Sequence, residues 1–167
     1  YRFDWDELPT IAGSDMQELM GAAHASEIPF VFGMFDDSFM NNLMFDENNI
    51  PGRDLLSESM SSYWAEFAYS SSPGRGRSGT LHEWRAWSNE SAAGEKYIIL
   101  DDENDGGIRM TSKVITLAVL HQRLLNDTRF PSQELHSQMY DCLLKDTRYW
   151  NLEEFEALGG SPCEDAM

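Results

Sequence analysis

Apolar and polar residues alternate at the start of the chain. In the segment YRFDWDE (residues 1–7), an aromatic residue stands at positions 1, 3 and 5 and a charged residue at each position between them. This period of two is typical of a β-strand with one buried face. The pattern predicts a strand over Tyr1–Trp5. We expect its hydrogen-bonding partners to lie outside this sequence, apart from a neighbouring strand near residues 97–100.

A different period, of three to four residues, follows in the middle of the chain. It predicts an amphipathic helix over about residues 54–70, introduced by Pro51 and Gly52. The apolar stripe of this helix consists of Leu55, Leu56, Met60, Tyr63, Trp64 and Phe67. Trp64 and Phe67 stand three residues apart on that stripe, so we expect them to be buried together.

The last third of the sequence predicts three further helices, at about 112–126, 132–146 and 152–158. Asn151 is placed to cap the last of them. The first helix is expected to direct an apolar set inward, namely Val114, Ile115, Leu117, Ala118, Leu120, Leu124 and Leu125. His121 and His136 are expected to face solvent or the flank of a helix.

A hairpin is predicted between the two groups of helices. Its strands are 96–100 and 108–110, and its turn is the acidic sequence DDENDGG. The turn resembles a calcium loop in composition but lacks the spacing of an EF-hand, so it is interpreted as a solvated acidic turn. One strand, one hairpin and about four helices contain too little sheet to be stable alone.

Charge and composition narrow the classes of partner. The chain of 167 residues has 29 acidic and 12 basic residues, a formal net charge of −17. Such a surface repels nucleic acid and anionic membranes, and no apolar run is long enough to span a bilayer. An acidic protein with few lysines fits a saline or extracellular setting, which favours a secreted or periplasmic location.

Two cysteines, Cys142 and Cys163, are too few for a disulfide framework. Cys142 shares an apolar helical face with Leu135 and Met139, which favours a small buried side chain. A bridge from Cys142 to Cys163 in the tail GGSPCED is the alternative. Both interpretations stay open from the sequence.

The candidate chemistry centres on one histidine. The four histidines show no metal-binding spacing, and neither a metal nor an organic cofactor is predicted. The sequence contains no Gly-x-Ser-x-Gly, the turn that exposes a nucleophilic serine. His24, in GAAHASEIPFVFG, is therefore either a packed loop histidine or a base whose nucleophile lies outside this sequence.

Several ordered segments resemble type-B carboxylesterases, the α/β-hydrolase family that includes cholinesterases and some fungal lipases. After the opening strand, Gly21-x-x-His24-x-x-Glu27 followed by IPFVFG is similar to the last catalytic segment of that family. MSSYWAEFAYSSSPG resembles the family's helix with Tyr-Trp-x-x-Phe-Ala and a Gly/Pro turn. Trp84-x-x-Trp87 and the strand ending at Asp101 match family segments as well, with Arg85 where proline is usual.

The resemblance implies a fold and a chemistry. It implies that residues 1–167 are the C-terminal segment of a single α/β-hydrolase domain, completed by an N-terminal portion of the same enzyme. That portion would carry the serine, the acid of the triad and the oxyanion hole for hydrolysis of a carboxylic ester through an acyl-serine intermediate. The alternative is a catalytically inactive, cholinesterase-like interaction module.

The resemblance also implies roles for individual residues. His24 would be the catalytic histidine, acting as general base toward the serine and then as general acid toward the leaving alcohol. Glu27 would support the histidine loop by hydrogen bonding, since the acid of the triad lies upstream in this family. Met20 and Ala25 would line the substrate pocket.

Overall fold

The computed structural model describes residues 1–35, 43–90, 94–129, 132–148 and 150–163. The chain divides into two compact units, Tyr1–Lys113 and Val114–Met167. The units contain helices and a small sheet, which together fit an α/β fold class. No helix among the described residues has both the length and the apolar content that a membrane crossing requires.

The first unit contains a mixed three-stranded sheet. Its strands are β1 (Arg2–Phe3), β4 (Tyr97–Leu100) and β5 (Arg109–Thr111), in the order β1-β4-β5. β1 pairs in parallel with β4, with Arg2 opposite Ile99, and β4 pairs antiparallel with β5. The predicted neighbour near residues 97–100 and the predicted hairpin are both confirmed, although β1 is shorter than expected. In the described part of the chain, no strand pairs with the other edge of β1.

A small hairpin and two short helices follow β1. β2 (Thr10–Ile11) and β3 (Ser14–Asp15) are joined by a tight turn in which Ala12 and Gly13 both have positive φ, as such two-residue turns require. Helix α1 (Met16–Met20) begins directly afterwards, and helix α2 (Ile28–Phe32) follows seven residues after α1 ends. The region between α1 and α2 contains His24.

The longest helix, α3, spans Ile50–Ser70 and so begins a few residues before the predicted start. Its buried positions are Leu56, Ser57, Met60 and Tyr63, that is i, i+1, i+4 and i+7, which lie on one helical face. The Ser57 hydroxyl donates a hydrogen bond of 2.8 Å to the Phe30 carbonyl. The Ser61 hydroxyl donates one of 2.7 Å to the Val31 carbonyl, so small polar side chains let α3 pack closely against α2.

The predicted buried face of α3 is confirmed at Leu56, Met60 and Tyr63 and is wrong at Leu55 and Phe67. Leu55 is 61% exposed and Phe67 is 57% exposed, whereas both were expected to be buried. Trp64 is half-buried and packs its ring at 5.6 Å from Trp84, without Phe67. Phe67 falls on the same helical face as Met60 and Tyr63 but lies one turn beyond Tyr63, the last buried residue of α3, and a periodic pattern does not show where along a helix the packing ends.

The core of the first unit is largely aromatic. Phe30 of α2 is 1% exposed and lies with its ring centroid 5.0–5.3 Å from those of Phe3, Trp5 and Phe35. The apolar residues buried around it are Leu8, Phe45, Leu56, Met60, Tyr63, Ile98 and Leu100. Aromatic side chains bury large areas and prefer the edge-to-face contacts seen here, so this cluster fixes α2 against the sheet.

The second unit consists of helices α4 (Leu117–Leu125), α5 (Gln133–Leu144) and α6 (Leu152–Ala157). Asn151 caps α6 as predicted, since its side chain accepts a hydrogen bond from the Glu154 amide. The predicted inward face of α4 is wrong at four positions that are 38–49% exposed, namely Val114, Ile115, Leu117 and Leu120. Thr116 caps α4, so two of these residues precede the helix.

Two histidines of the second unit are buried instead. His121 is 2% exposed and His136 is 1% exposed, which contradicts their expected solvent-facing positions. The His121 ring packs 4.8 Å from the Trp150 ring and 5.7 Å from that of Phe155. An imidazole between aromatic rings is packed like an apolar side chain. The prediction counted only apolar residue types in the helical pattern, so it did not place histidine on a buried face.

A disulfide bond joins Cys142 to Cys163. The alternative left open by the sequence is therefore the observed one, and the expectation of a buried, unpaired Cys142 is wrong, since this residue is exposed. Asp141 supports the closure: its carboxylate accepts hydrogen bonds from the Cys163 amide at 2.7 Å and from Trp150 Nε1 at 2.5 Å. The bridge ties the tail to α5.

Candidate functional site

His24 lies in the turn between α1 and α2. α1 is capped at its start by Asp15, whose side chain accepts a hydrogen bond from the Glu18 amide. It ends at Gly21, which has a φ of 52° and whose amide donates to the Gln17 carbonyl. A side chain at this φ is strained, so glycine is suited to the position. The chain thereby leaves α1 sharply and enters the histidine turn.

The turn is held by its own backbone. The Ala23 carbonyl accepts hydrogen bonds from the amide of Ser26 at 3.2 Å and from its hydroxyl at 2.5 Å. Ala25 has a φ of 66°, in the left-handed region, and its carbonyl accepts from the Ile28 amide that starts α2. His24 is exposed at the beginning of this turn. The backbone is thus fixed on both sides of an accessible imidazole.

The His24 side chain makes no hydrogen bond with any residue that the structure describes. The His24 residue as a whole is exposed. A neutral imidazole offers one nitrogen as acceptor and the other as donor, the pair of functions that general base and general acid catalysis use. The arrangement can take up a proton from a neighbouring hydroxyl and release it again.

Glu27 connects the histidine turn to β1. Its Oε1 accepts a hydrogen bond of 3.3 Å from the Tyr1 hydroxyl. The Tyr1 ring packs edge-on against Trp64 at 5.1 Å and Trp84 at 6.0 Å. Burial, and then the neighbouring Glu27 carboxylate, raise the pKa of the Tyr1 hydroxyl. The Glu27 side chain makes no hydrogen bond to His24 among the described contacts, and its support of the histidine loop stays a prediction.

Met20 and Ala25 lie on either side of His24 in sequence. Met20 ends α1 and is 38% exposed, and Ala25 is half-buried. A cleft of about 830 Å³ lies elsewhere in the same unit, and none of the four predicted site residues lines it. Whether Met20 and Ala25 line a substrate pocket stays a prediction.

A second group of chemically active residues lies at the ends of two parallel strands. β1 and β4 run side by side, and the Asp4 amide donates to the Leu100 carbonyl at 2.9 Å where they end. Glu7 follows β1, and Asp101 and Asp102 follow β4. One carboxylate oxygen from each of these three residues lies within 4.8 Å of the others. We call these three side chains the carboxylate cluster.

Burial changes the acidity of the carboxylate cluster. It raises the pKa of Glu7 to about 8; a hydrogen bond with the Asp102 carboxyl group adds to this rise, and so do the negative charges of Asp102 and Asp101. Burial also raises the pKa of Asp101 to about 6, against the opposing effect of Arg109, whose Nη1 lies 3.4 Å from Asp101 Oδ2. Desolvation disfavours a charged carboxylate, and the adjacent negative charges act in the same direction.

The interpretation of DDENDGG as a fully solvated turn was wrong at its first two positions. Asp101 is 4% exposed and Asp102 is 7% exposed. Asp102 is turned inward because it caps the 3₁₀ turn Glu103–Asp105, accepting hydrogen bonds from the amides of Asn104 and Asp105. The burial of the two aspartates could have been predicted from the apolar run YIIL that precedes them, since the residues directly after a fully buried strand are partly buried as well.

One known relative was found by comparison of sequences. Over 86 residues, 52% of this chain, it is 34% identical to acetylcholinesterase of Danio rerio. The matched segment is 12% of that relative, so the chain spans a small part of its length. No protein-family profile and no solved structure matches the chain. The similarity supports a relationship to cholinesterases and carboxylesterases over about half of the chain.

Proposed function

We propose that this chain is the C-terminal part of an α/β-hydrolase that cleaves carboxylic esters, and that it supplies the catalytic histidine, His24. The observation that carries the proposal is the accessible imidazole on a turn fixed at both ends, in a chain related over half its length to acetylcholinesterase. The small mixed sheet, with the unpaired edge of β1 among the described strands, is compatible with a larger sheet.

In the proposed reaction His24 first accepts a proton and then donates it. It accepts the proton of a serine hydroxyl supplied by another part of the enzyme while that oxygen bonds to the ester carbonyl carbon. It then gives the proton to the leaving alkoxide as the carbon–oxygen bond of the ester breaks. Water repeats the sequence on the acyl-serine and releases the acid. An upstream carboxylate would orient the imidazole, since no described residue does so.

Glu27 is proposed as a positioning residue for this turn, and Met20 and Ala25 as neighbours of the bound ester. Glu27 directly precedes α2 and accepts a hydrogen bond from Tyr1, so it restrains the end of the histidine turn relative to the residue before β1. The small side chain of Ala25 leaves room beside the imidazole. Met20 offers a flexible apolar surface of the kind that contacts acyl or alcohol groups.

The test is labelling by a fluorophosphonate, a probe that reacts with activated serines. The complete protein that contains this chain should be labelled, and His24→Gln should abolish the labelling, because the serine is activated only by its base. His82→Gln is the matched control. His82 is also exposed, and it contributes to the fold through its carbonyl, which accepts from the Tyr63 hydroxyl.

The outcomes separate the two candidate functions. Labelling that survives in His82→Gln and disappears in His24→Gln supports an esterase with His24 as base. A folded, complete protein that never reacts with the probe and contains no Gly-x-Ser-x-Gly contradicts the esterase proposal. That result favours a catalytically inactive interaction module of the cholinesterase type.

A further inference from the structure

The direction of the His24 imidazole is set by the main chain of its turn. The side chain has no hydrogen-bonding partner among the described residues that could orient it directly. The Ser26 amide donates to the Ala23 carbonyl at 3.2 Å, which closes a four-residue turn with His24 and Ala25 at its two central positions. A change in the backbone conformation of either central residue therefore changes where the imidazole points.

Ala25 is held in an unfavourable backbone conformation. Its φ of 66° lies in the left-handed region, where glycine is usual and a side chain is strained. The other described non-glycine residues with positive φ occupy ordinary places for it, since Ala12 lies in the β2–β3 turn and Ser71 ends α3. Ala25 lies in no hairpin and ends no helix. Strain of this kind persists only where neighbouring groups enforce it, and such residues cluster at functional sites.

The Ser26 side chain is the group that enforces this conformation. Its hydroxyl donates to the Ala23 carbonyl at 2.5 Å, the same carbonyl that accepts from its amide. Serine hydroxyls form such local bonds to the backbone readily. Among the described contacts, no other side chain of residues 21–27 donates to a carbonyl of the turn. One residue thus opposes the opening of the turn with both its main chain and its side chain.

We propose that Ser26 is a positioning residue for His24. It does not bond to the imidazole, and it acts by keeping the turn closed through the Ala23 carbonyl. This role rests on the proposed function, in which His24 is the base. A base must lie within hydrogen-bond distance of the hydroxyl that it deprotonates, and a displacement of about 1 Å can lower the rate about 10²-fold.

Removal of the hydroxyl should loosen the turn without unfolding the chain. In Ser26→Ala only the amide bond to Ala23 remains, and its 3.2 Å is at the long end of the range for such bonds. Ala25 can then relax toward negative φ, which alanine prefers, and the imidazole leaves its direction in part of the molecules. The helix after the turn stays anchored, because the Ser57 hydroxyl still donates to the Phe30 carbonyl at 2.8 Å.

The experiment measures steady-state hydrolysis of 4-nitrophenyl acetate by the complete protein that contains this chain. Ser26→Ala should lower kcat by about 10- to 100-fold and leave KM within about twofold, because the hydroxyl places the base and does not touch the ester. Ser26→Thr keeps a hydroxyl at the same position and should retain kcat within about threefold. Thermal unfolding of each variant should shift by less than about 3 °C.

Ser59→Ala is the matched control. Ser59 is half-buried like Ser26, and its hydroxyl also donates to a nearby backbone carbonyl, that of Leu55 at 3.0 Å within α3. The variant removes a bond of the same kind from another element. It should keep kcat and KM within about twofold of the wild type, which shows that the loss of a local serine bond does not by itself lower activity.

Three results would overturn the role of Ser26 and leave that of His24 standing. An unchanged kcat in Ser26→Ala, with His24→Gln inactive, means that the backbone alone holds the turn. A raised KM with unchanged kcat means that Ser26 contacts the ester. Equal losses in Ser26→Ala and Ser26→Thr, with unfolding lowered by several degrees, mean that Ser26 only stabilises the fold. A folded wild type that neither hydrolyses esters nor reacts with the fluorophosphonate contradicts the proposed function itself, and Ser26 then has no base to position.

Discussion

The His24 turn and the carboxylate cluster differ in burial and in how far apart their residues lie in the sequence. His24 is accessible, and local backbone hydrogen bonds between residues close in sequence hold its turn. The cluster is buried, and it brings together residues from opposite ends of the first unit. A group that reacts with a substrate must stay accessible, and a short sequence motif can identify it. Buried charges need compensating groups, and they can be recognised only once the pairing of distant strands is known.

The largest effect is expected when the His24 imidazole is removed. In the complete protein, His24→Gln should lower kcat for a simple ester by about 10³-fold or more, because members of a triad act as a unit. The free energy of unfolding should change by less than about 0.5 kcal/mol, since an exposed side chain makes few core contacts. Steady-state hydrolysis and thermal unfolding of the same preparation measure both.

A packed histidine would give the reverse result. If unfolding shifts by several degrees while turnover per folded molecule survives, His24 is structural and the comparison fails. His82→Gln should retain both full turnover and full stability, which controls for the loss of an exposed imidazole as such.

The support of the histidine turn can be tested at Phe30, six residues after His24. Phe30 is 1% exposed among the aromatic rings of the core, so Phe30→Ala should lower the free energy of unfolding by about 3–5 kcal/mol. Phe32→Ala is the matched control on the same helix, because Phe32 is 68% exposed and should cost less than about 0.5 kcal/mol. Chemical denaturation separates them, and equal losses would contradict the assigned face of α2.

The sequence revealed the local features of this molecule and missed most of the non-local ones. Alternation at 1–7, the period of 54–70 and the cap at Asn151 each depend on neighbours in the chain, and the strand, helix and cap were predicted. Phe67 is exposed because the buried face of α3 ends at Tyr63, one turn earlier, and the burial of His121 depends on Trp150 and Phe155. Such partners are set by packing, which a periodic pattern does not contain.

The same distinction applies to the two candidate sites. His24 and Glu27 were named from one continuous motif, and the structure adds the contact of Glu27 with Tyr1. Glu7 was not named at all, and Asp101 and Asp102 were interpreted as solvated. Their proximity follows from the parallel pairing of β1 with β4, which the sequence only suggested through a neighbour near residues 97–100.

The buried carboxylate cluster predicts that the stability of the fold depends on pH. The pKa of Glu7 is raised to about 8 in the folded chain, above its ordinary value of 4.5. Below about pH 4.5 the group is protonated in both states, and the folded state keeps this advantage in full. The stabilisation is lost as pH rises through about 8, because the folded state must then hold a buried charge.

Glu7→Gln removes this titration, so thermal unfolding of the two proteins should diverge with pH. At pH 5 their midpoints should be similar, and at pH 9 the glutamine variant should unfold at a higher temperature by a few degrees. Glu103→Gln should follow the wild type at both pH values. Parallel curves for wild type and Glu7→Gln would mean that Glu7 is well solvated in the folded chain.

The smallest effect is expected at the contact between Tyr1 and Glu27. Tyr1→Phe removes a single exposed hydrogen bond of 3.3 Å and keeps the ring against Trp64 and Trp84. Because water can replace the hydroxyl at both partners, the free energy of unfolding should change by about 0.5 kcal/mol and kcat by about twofold. A cycle with Glu27→Gln tests whether the two residues act together. If Tyr1→Phe alone lowers kcat more than tenfold without changing stability, the position of the His24 turn depends on this one bond, and its own backbone hydrogen bonds do not suffice to hold the imidazole in place.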